Sequence, residues 1–213
     1  MTATTPFVLK RPLVVGIGGS VTPGSSTEQA LAIALRSAQA MGAETLLIGG
    51  AALASLPHYG ARKLADTPEG TWLVDAIRRA DGLIIASPGY HGSISGLVKN
   101  ALDYVEETAR DERIYLDGMP VGLIAAAYGW QATGSALAAL RSIVHALRGW
   151  PTPMGAAINT SGGILRDGRC SDARVCLQLE TVGRQVCAFA ARGPCVVQSP
   201  TSASEVQLAR AAS

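Results

Sequence analysis

Leu13-Val14-Val15-Gly16-Ile17-Gly18-Gly19-Ser20-Val21-Thr22-Pro23-Gly24-Ser25-Ser26-Thr27-Glu28 carries the chain from a strand through a loop into a helix. The opening run is apolar without alternation, the pattern of a strand covered on both faces. From residue 26 to 41, Leu31, Leu35 and Ala38 recur on one stripe, which predicts an amphipathic helix. The loop between them matches neither common phosphate motif. The dinucleotide fingerprint needs glycine where Val21 stands, and the Walker pattern needs lysine where Ser25 stands. What is left is five hydroxyls, on Ser20, Thr22, Ser25, Ser26 and Thr27, leading to a helix N-terminus with no cationic side chain. Free N–H groups and the positive end of the helix dipole suit a phosphate monoester there. The plainer reading is a capping box, with Ser25 as the cap and Glu28 answering it three residues on. Capping uses one or two of the hydroxyls, not all five.

Working outward, the strand–helix alternation repeats. Strands are predicted at residues 45–48, 82–86, 121–127 and 154–158, and helices at 72–79, 97–107, 132–147 and 172–191. This order predicts an α/β fold, a doubly wound five-stranded parallel sheet of flavodoxin-like type with strand order 2-1-3-4-5 and helices on both faces. Ligands in such sheets bind beyond the carboxyl ends of the strands, at the switch point between the first and third. The loops after strands one, three and four are therefore the candidates for a site. A length of 213 residues fits one domain, read here as residues 12–192. The tails, 1–11 and 193–213, are rich in Ser, Thr and Ala and are expected to be disordered.

Net charge is +2 with no Lys/Arg block, which argues against nucleic acid as a partner. No stretch approaches the ~20 apolar residues of a membrane helix, and residues 1–12 lack the apolar core of a secretory signal. Cys170, Cys176, Cys187 and Cys195 form no C-x-x-C pair and read as free thiols or core residues. The spacing of Cys176 and Cys187 puts both on one buried helix face. A cytoplasmic protein is expected. His58, His91 and His145 stand apart with no metal-ligand cluster, and no G-x-S-x-G elbow occurs.

The stretch Ser87-Pro88-Gly89-Tyr90-His91-Gly92-Ser93-Ile94-Ser95-Gly96-Leu97-Val98-Lys99-Asn100-Ala101-Leu102-Asp103-Tyr104 resembles the signature of the NADPH-dependent FMN reductase family, roughly S/T-P-x-Y-x-G-S-x-x-G-x-x-K-N-x-x-D. Residues 116–121 resemble the family's lead into the fourth strand, with Met119 where lysine is common, and residues 140–144 resemble the following helix. The family often carries arginine two positions past the first serine of the strand-one loop; this chain has Thr22. The resemblance spans residues 12–192.

The resemblance implies that the hydroxyl loop holds the terminal phosphate of FMN. It implies that Pro88, Gly89, Tyr90, His91, Gly92 and Ser93 meet the ring edge, with amides near Gly92 and Ser93 toward N5 and O4. Gly89, Gly92 and Gly96 would remove side chains that block the ring. Tyr128 and Gly129 would lie at its pyrimidine end, where backbone N–H groups stabilise charge near N1 and O2. Tyr90 packs beside the ring or faces a neighbouring subunit, and Trp130 covers the ring edge or packs on its own loop. His91 is a rim residue or a proton donor. Lys99 and Asp103, four apart, make a surface ion pair or a subunit contact.

The implied reaction is hydride transfer from C4 of NADPH or NADH to flavin N5, with no protein acid, base or nucleophile. Reduced flavin would then feed a flavin-dependent monooxygenase. The alternatives are retained FMN that reduces a quinone, azo dye or oxyanion, and a flavodoxin-type electron carrier. Carriers of that type have acidic docking surfaces, which this balanced charge disfavours. A homodimer or homotetramer is expected.

Overall fold

A computed structural model describes residues 11–193. Both tails expected to be disordered, apart from Arg11 and Gly193, lie outside the described residues, as does Cys195. The elements run β1 (Leu13–Gly18), α1 (Ser26–Ala40), β2 (Glu44–Ile48), α2 (Gly50–Ala54), α3 (Pro68–Arg79), β3 (Gly82–Tyr90), β4 (Ser93–Ile94), α4 (Gly96–Asp103), β5 (Pro120–Ala127), α5 (Trp130–Ala146), β6 (Trp150–Asn159), β7 (Leu165–Arg166), β8 (Arg169–Cys170) and α6 (Ala173–Ala190). The five long strands pair in parallel in the order β2-β1-β3-β5-β6, which is the predicted 2-1-3-4-5. Right-handed crossovers then place helices on both faces.

Each face has its own core. Against one, α1 and α6 bury Leu31, Ala34, Leu35, Leu179, Val182 and Val186 on Val14, Ile84 and Ile124. Against the other, Leu73, Val74 and Ile77 of α3, Val98 of α4 and Leu140 and Val144 of α5 cover Val15, Ile17, Leu83, Ile85 and Leu123. The central strands β3 and β5 show buried side chains almost throughout, because neighbours cover both faces. The end of α3 is closed from outside. Arg113 donates to the carbonyls of Ile77, Arg78 and Ala80 at 2.6, 2.9 and 2.7 Å, satisfying orphan acceptors of a helix C-terminus. Burial of its guanidinium lowers its pKa.

Several boundaries differ from expectation. The helix expected over 97–107 stops at Asp103 and tightens into a 3₁₀ turn over Tyr104–Thr108. The third strand does not end at residue 86 but continues to Tyr90 and folds back on β4. Pro68 starts α3 four residues early, its fixed φ and missing N–H suiting a first helical position. Trp130 opens α5 instead of lying in a loop. Cys187 is buried on α1, but Cys176 is only half-buried, because the β7–β8 hairpin and not the sheet stands beside it.

Candidate functional site

Three loops meet at the carboxyl ends of β1, β3 and β5, where the strand order reverses. The first runs from Gly19 to Ser25. Ser25 caps α1, its Oγ accepting from the Glu28 N–H at 3.3 Å, and Ser20 Oγ accepts from the Thr22 N–H at 3.3 Å. Ser26 and Thr27 open the helix, and among the described residues their N–H groups have no acceptor in the chain. Val21, Thr22, Pro23 and Gly24 are exposed, while Thr27 is buried. Two free N–H donors beside the hydroxyls of this loop, at a helix N-terminus, suit a phosphate dianion without help from a cation.

Only half of the capping box forms. The Glu28 carboxylate does not return to Ser25; it accepts from the Gly50 N–H at 3.0 Å, at the start of α2. That helix start also has orphan N–H groups, and a carboxylate satisfies one of them. The contact draws the segment after β2 against the first loop so closely that a Cβ on Gly50 would sit 1.8 Å from Ser20 O. A second clamp works from the other side. Gln29 Nε2 donates to Gly24 O at 2.6 Å, and Gln29 Oε1 accepts from the Gly168 N–H at 3.0 Å, tying the loop to the β7–β8 hairpin.

The second loop is a two-residue hairpin. Tyr90 pairs with Ser93, leaving His91 and Gly92 as the turn, with φ of 49° and 87°. Positive φ at both central residues is the type I′ signature, whose twist matches the flanking strands. His91, Gly92 and Ser93 are exposed, Tyr90 is 52% exposed and Pro88 is buried. A Cβ on Gly92 would meet nothing within 4 Å, so space beside the turn is open. Gly89 also serves the packing of the fold. Its absent side chain makes room for α5, because a Cβ would lie 2.9 Å from Ala132 O and 3.3 Å from the Ala127 and Ala136 methyls. The hairpin is braced by buried Ser87, whose Oγ accepts from the Ser95 N–H at 3.0 Å; Ser95 Oγ in turn accepts from the Val98 N–H and caps α4.

At the third loop Tyr128 is 86% and Trp130 67% exposed, Gly129 lies between them, and Thr133 bonds back to Gly129 and Trp130. Lys99 and Asp103 form an exposed i,i+4 ion pair at 2.6 Å. Their neighbour Asn100 does more. Its Nδ2 donates to Pro57 O at 2.9 Å and its Oδ1 accepts from the Tyr59 N–H at 2.8 Å, while Tyr104 OH also donates to Pro57 O at 3.0 Å. Burial, then the nearby carboxylate of Glu107, raises the pKa of both Tyr59 and Tyr104, so each stays a neutral donor. Glu28, Gln29, Ser87, Ser95 and Asn100 were not singled out from sequence for these roles; Ser87 and Asn100 stand inside the signature stretch and Glu28 in the capping-box pattern, but the partners of Glu28 and Asn100 lie far along the chain.

The exposed face of these three loops is open. A cleft of about 640 Å³ lies elsewhere, between α1, α6 and the β7–β8 hairpin. No helix of the described residues is long and apolar enough to cross a membrane.

Comparison with known proteins agrees with this geometry. The model of the NADPH-dependent FMN reductase family matches residues 12–162. The chain is 37% identical over 87 residues to an FMN-dependent NADPH-azoreductase of Staphylococcus haemolyticus, covering 41% of this chain and 43% of that protein. It is 30% identical over 125 residues to the NADH:(hydroxy)cinnamate reductase subunit CrdA of Vibrio ruber, covering 57% of this chain and 60% of that one. The matches thus span less than two thirds of either relative. Among solved structures, the flavoenzyme NAD(P)H:(acceptor) oxidoreductase FerB of Paracoccus denitrificans superposes with a TM-score of 0.69 at 22% identity, over 86% of this chain and 99% of that one. At that identity the likeness speaks for the fold.

Proposed function

The chain belongs to the NADPH-dependent FMN reductase family, and on that premise we propose that it binds FMN across the three loops and reduces it with NADPH or NADH. The observation that carries the reading is the pair of unpaired N–H groups of Ser26 and Thr27 at the helix start that ends a hydroxyl-rich loop with no Lys or Arg in it, a setting that suits a phosphate. When bound, FMN supplies a two-electron acceptor for the reduced nicotinamide and a donor for the next substrate.

The residues divide the work. Ser20, Thr22, Ser25, Ser26 and Thr27 hold the phosphate through hydroxyl and amide donors. Pro88, Gly89, Tyr90, His91, Gly92 and Ser93 shape the ring-edge wall: Gly89 by letting β3 pack on α5, the His91-Gly92 turn by leaving open space. Tyr128 and Gly129 border the remaining end. No side chain in these loops is placed as an acid–base pair, so the protein contributes proximity, orientation and electrostatics.

The acceptor is open to two readings. Release of reduced flavin to a monooxygenase is the first. The second is retained FMN that reduces an azo compound or quinone directly, and the likeness to the staphylococcal azoreductase favours it. We place the protein in the cytoplasm as a homodimer or homotetramer; light scattering should report an oligomer at micromolar concentration, and a monomer would end that part of the proposal.

Fluorescence titration should find FMN bound clearly tighter than riboflavin, since only FMN has the phosphate. Equal affinities would remove the phosphate assignment and with it the main support for the reading. Replacement His91→Ala should slow single-turnover flavin reduction by less than about tenfold, or ~1.4 kcal/mol of barrier. His91 is exposed at the turn, and among the described residues it has no hydrogen-bond partner. Loss of reduction with FMN still bound would assign the imidazole a direct chemical role.

A further inference from the structure

Away from the three loops, two of the thiols converge on one turn. Cys170 ends β8, and Cys176 stands in the second turn of α6. Between them Asp172 caps the helix, its carboxylate accepting from the Arg174 and Val175 N–H groups at 2.8 and 3.1 Å. The Cys170 thiol donates to Asp172 O at 3.3 Å, the same carbonyl that accepts the Cys176 N–H at 2.9 Å. The Cys176 thiol donates back to Cys170 O at 3.2 Å. Each sulfur thus sits over the other residue's stretch of backbone. Both are half-buried, and both line the cleft of about 640 Å³ that opens between α1, α6 and the hairpin. Arg36, Arg169 and Arg184 line the same cleft against the single carboxylate of Glu180. A partly exposed, net-positive setting is where thiols react.

We propose that Cys170 and Cys176 are a modification site, a thiol pair that closes to an intrachain disulfide on reaction with hydrogen peroxide. The Cys170 sulfur attacks a peroxide oxygen as its thiolate. The O–O bond breaks, a sulfenic acid forms on Cys170, and the leaving hydroxide takes a proton to become water. The Cys176 sulfur then displaces the hydroxyl from that sulfenic sulfur, forming the S–S bond; the Cys176 proton leaves with the hydroxyl as a second water. Two thiols are oxidised and one peroxide is reduced to two waters. Burial first, then its contacts with Cys170, push the Cys176 thiol up to about 11, which suits it to the second step. Cys187 is excluded by position: it is buried on α1, its thiol 3.8 Å from Met41 O.

The sequence makes the test direct. Trypsin cuts after Arg169, Arg174, Arg184 and Arg192, which places Cys170, Cys176, Cys187 and Cys195 on four separate peptides. The full chain is treated with a few equivalents of hydrogen peroxide, alkylated and digested without reduction. Mass spectrometry should find peptide 170–174 linked to peptide 175–184, with the link lost on reduction. Cys187→Ser and Cys195→Ser should keep it, and Cys170→Ser should leave Cys176 unoxidised. Three results overturn the proposal: sulfinic or sulfonic acids on unlinked peptides, a link from Cys176 to Cys187 or Cys195, or a link only between two chains. Unchanged free thiols at both positions would also overturn it, leaving the pair as ordinary packing at a helix start. The unsubstituted chain decides the matter even where a variant fails to fold.

Discussion

Gly92→Val should raise the dissociation constants of FMN and riboflavin together, each by at least about tenfold, or ~1.4 kcal/mol. Gly92 is the second residue of a two-residue hairpin turn, with φ of 87°. A β-branched residue is a steric outlier in that region, and even an unbranched one costs about 1–2 kcal/mol. The turn would relax toward negative φ, and the Tyr90–Ser93 pairing would slip with it. Nothing in the protein opposes the new side chain, since a Cβ there meets no atom within 4 Å. That open side is where we place the flavin edge, so the branched side chain adds bulk as well as strain. Gly92→Ala separates the two causes: it keeps most of the strain with little bulk and should fall between the variant and the parent. The fold should survive, because the turn is exposed and contributes nothing to either core. The check is fluorescence titration with both flavins beside a thermal melt. Unchanged affinities in Gly92→Val would take the hairpin out of the flavin site.

The contrast between the two flavins matters because the site was unevenly legible. The sheet could be read early, since strands such as residues 13–18 and 120–127 are buried on both faces and appear as unbroken apolar runs. The Ser25 cap of α1 was legible too, because it bonds three residues on. What bonds across the chain was not. Glu28 looked like half of a capping box, yet its carboxylate bonds Gly50, 22 positions on. Asn100 sits in the recognisable stretch, yet nothing local says that it grips Pro57 and Tyr59. The β3–β4 hairpin escaped for another reason. Its second strand, Ser93–Ile94, is two residues long, too short for any periodicity to appear. Gly89 shows a further gap: nothing in the sequence says that its missing side chain also makes room for a helix, which the position of Ala132 reveals.

Gly50→Ala should act on FMN alone. Its Cβ would fall 1.8 Å from Ser20 O and 2.9 Å from Ser20 N, and backbone atoms cannot step aside as a flexible side chain can. Either α2 moves out, lengthening the 3.0 Å bond from the Gly50 N–H to Glu28, or the Ser20 peptide moves in. Both routes disturb the hydroxyl loop while leaving the His91-Gly92 turn untouched, because that turn is braced separately by Ser87 and Ser95. The FMN dissociation constant should therefore rise by at least about tenfold, or ~1.4 kcal/mol, toward that of riboflavin. Riboflavin, which has no phosphate, should bind as before. Overpacking of this kind also costs about 1–3 kcal/mol of stability, so the melting temperature should fall. A melt with each flavin at saturation shows whether the folded variant still distinguishes them. If Gly50→Ala kept its full preference for FMN, the phosphate would lie outside the loop of residues 19–27. If it lost both flavins equally, the segment after β2 would belong to the wall beside the ring instead of the phosphate cradle.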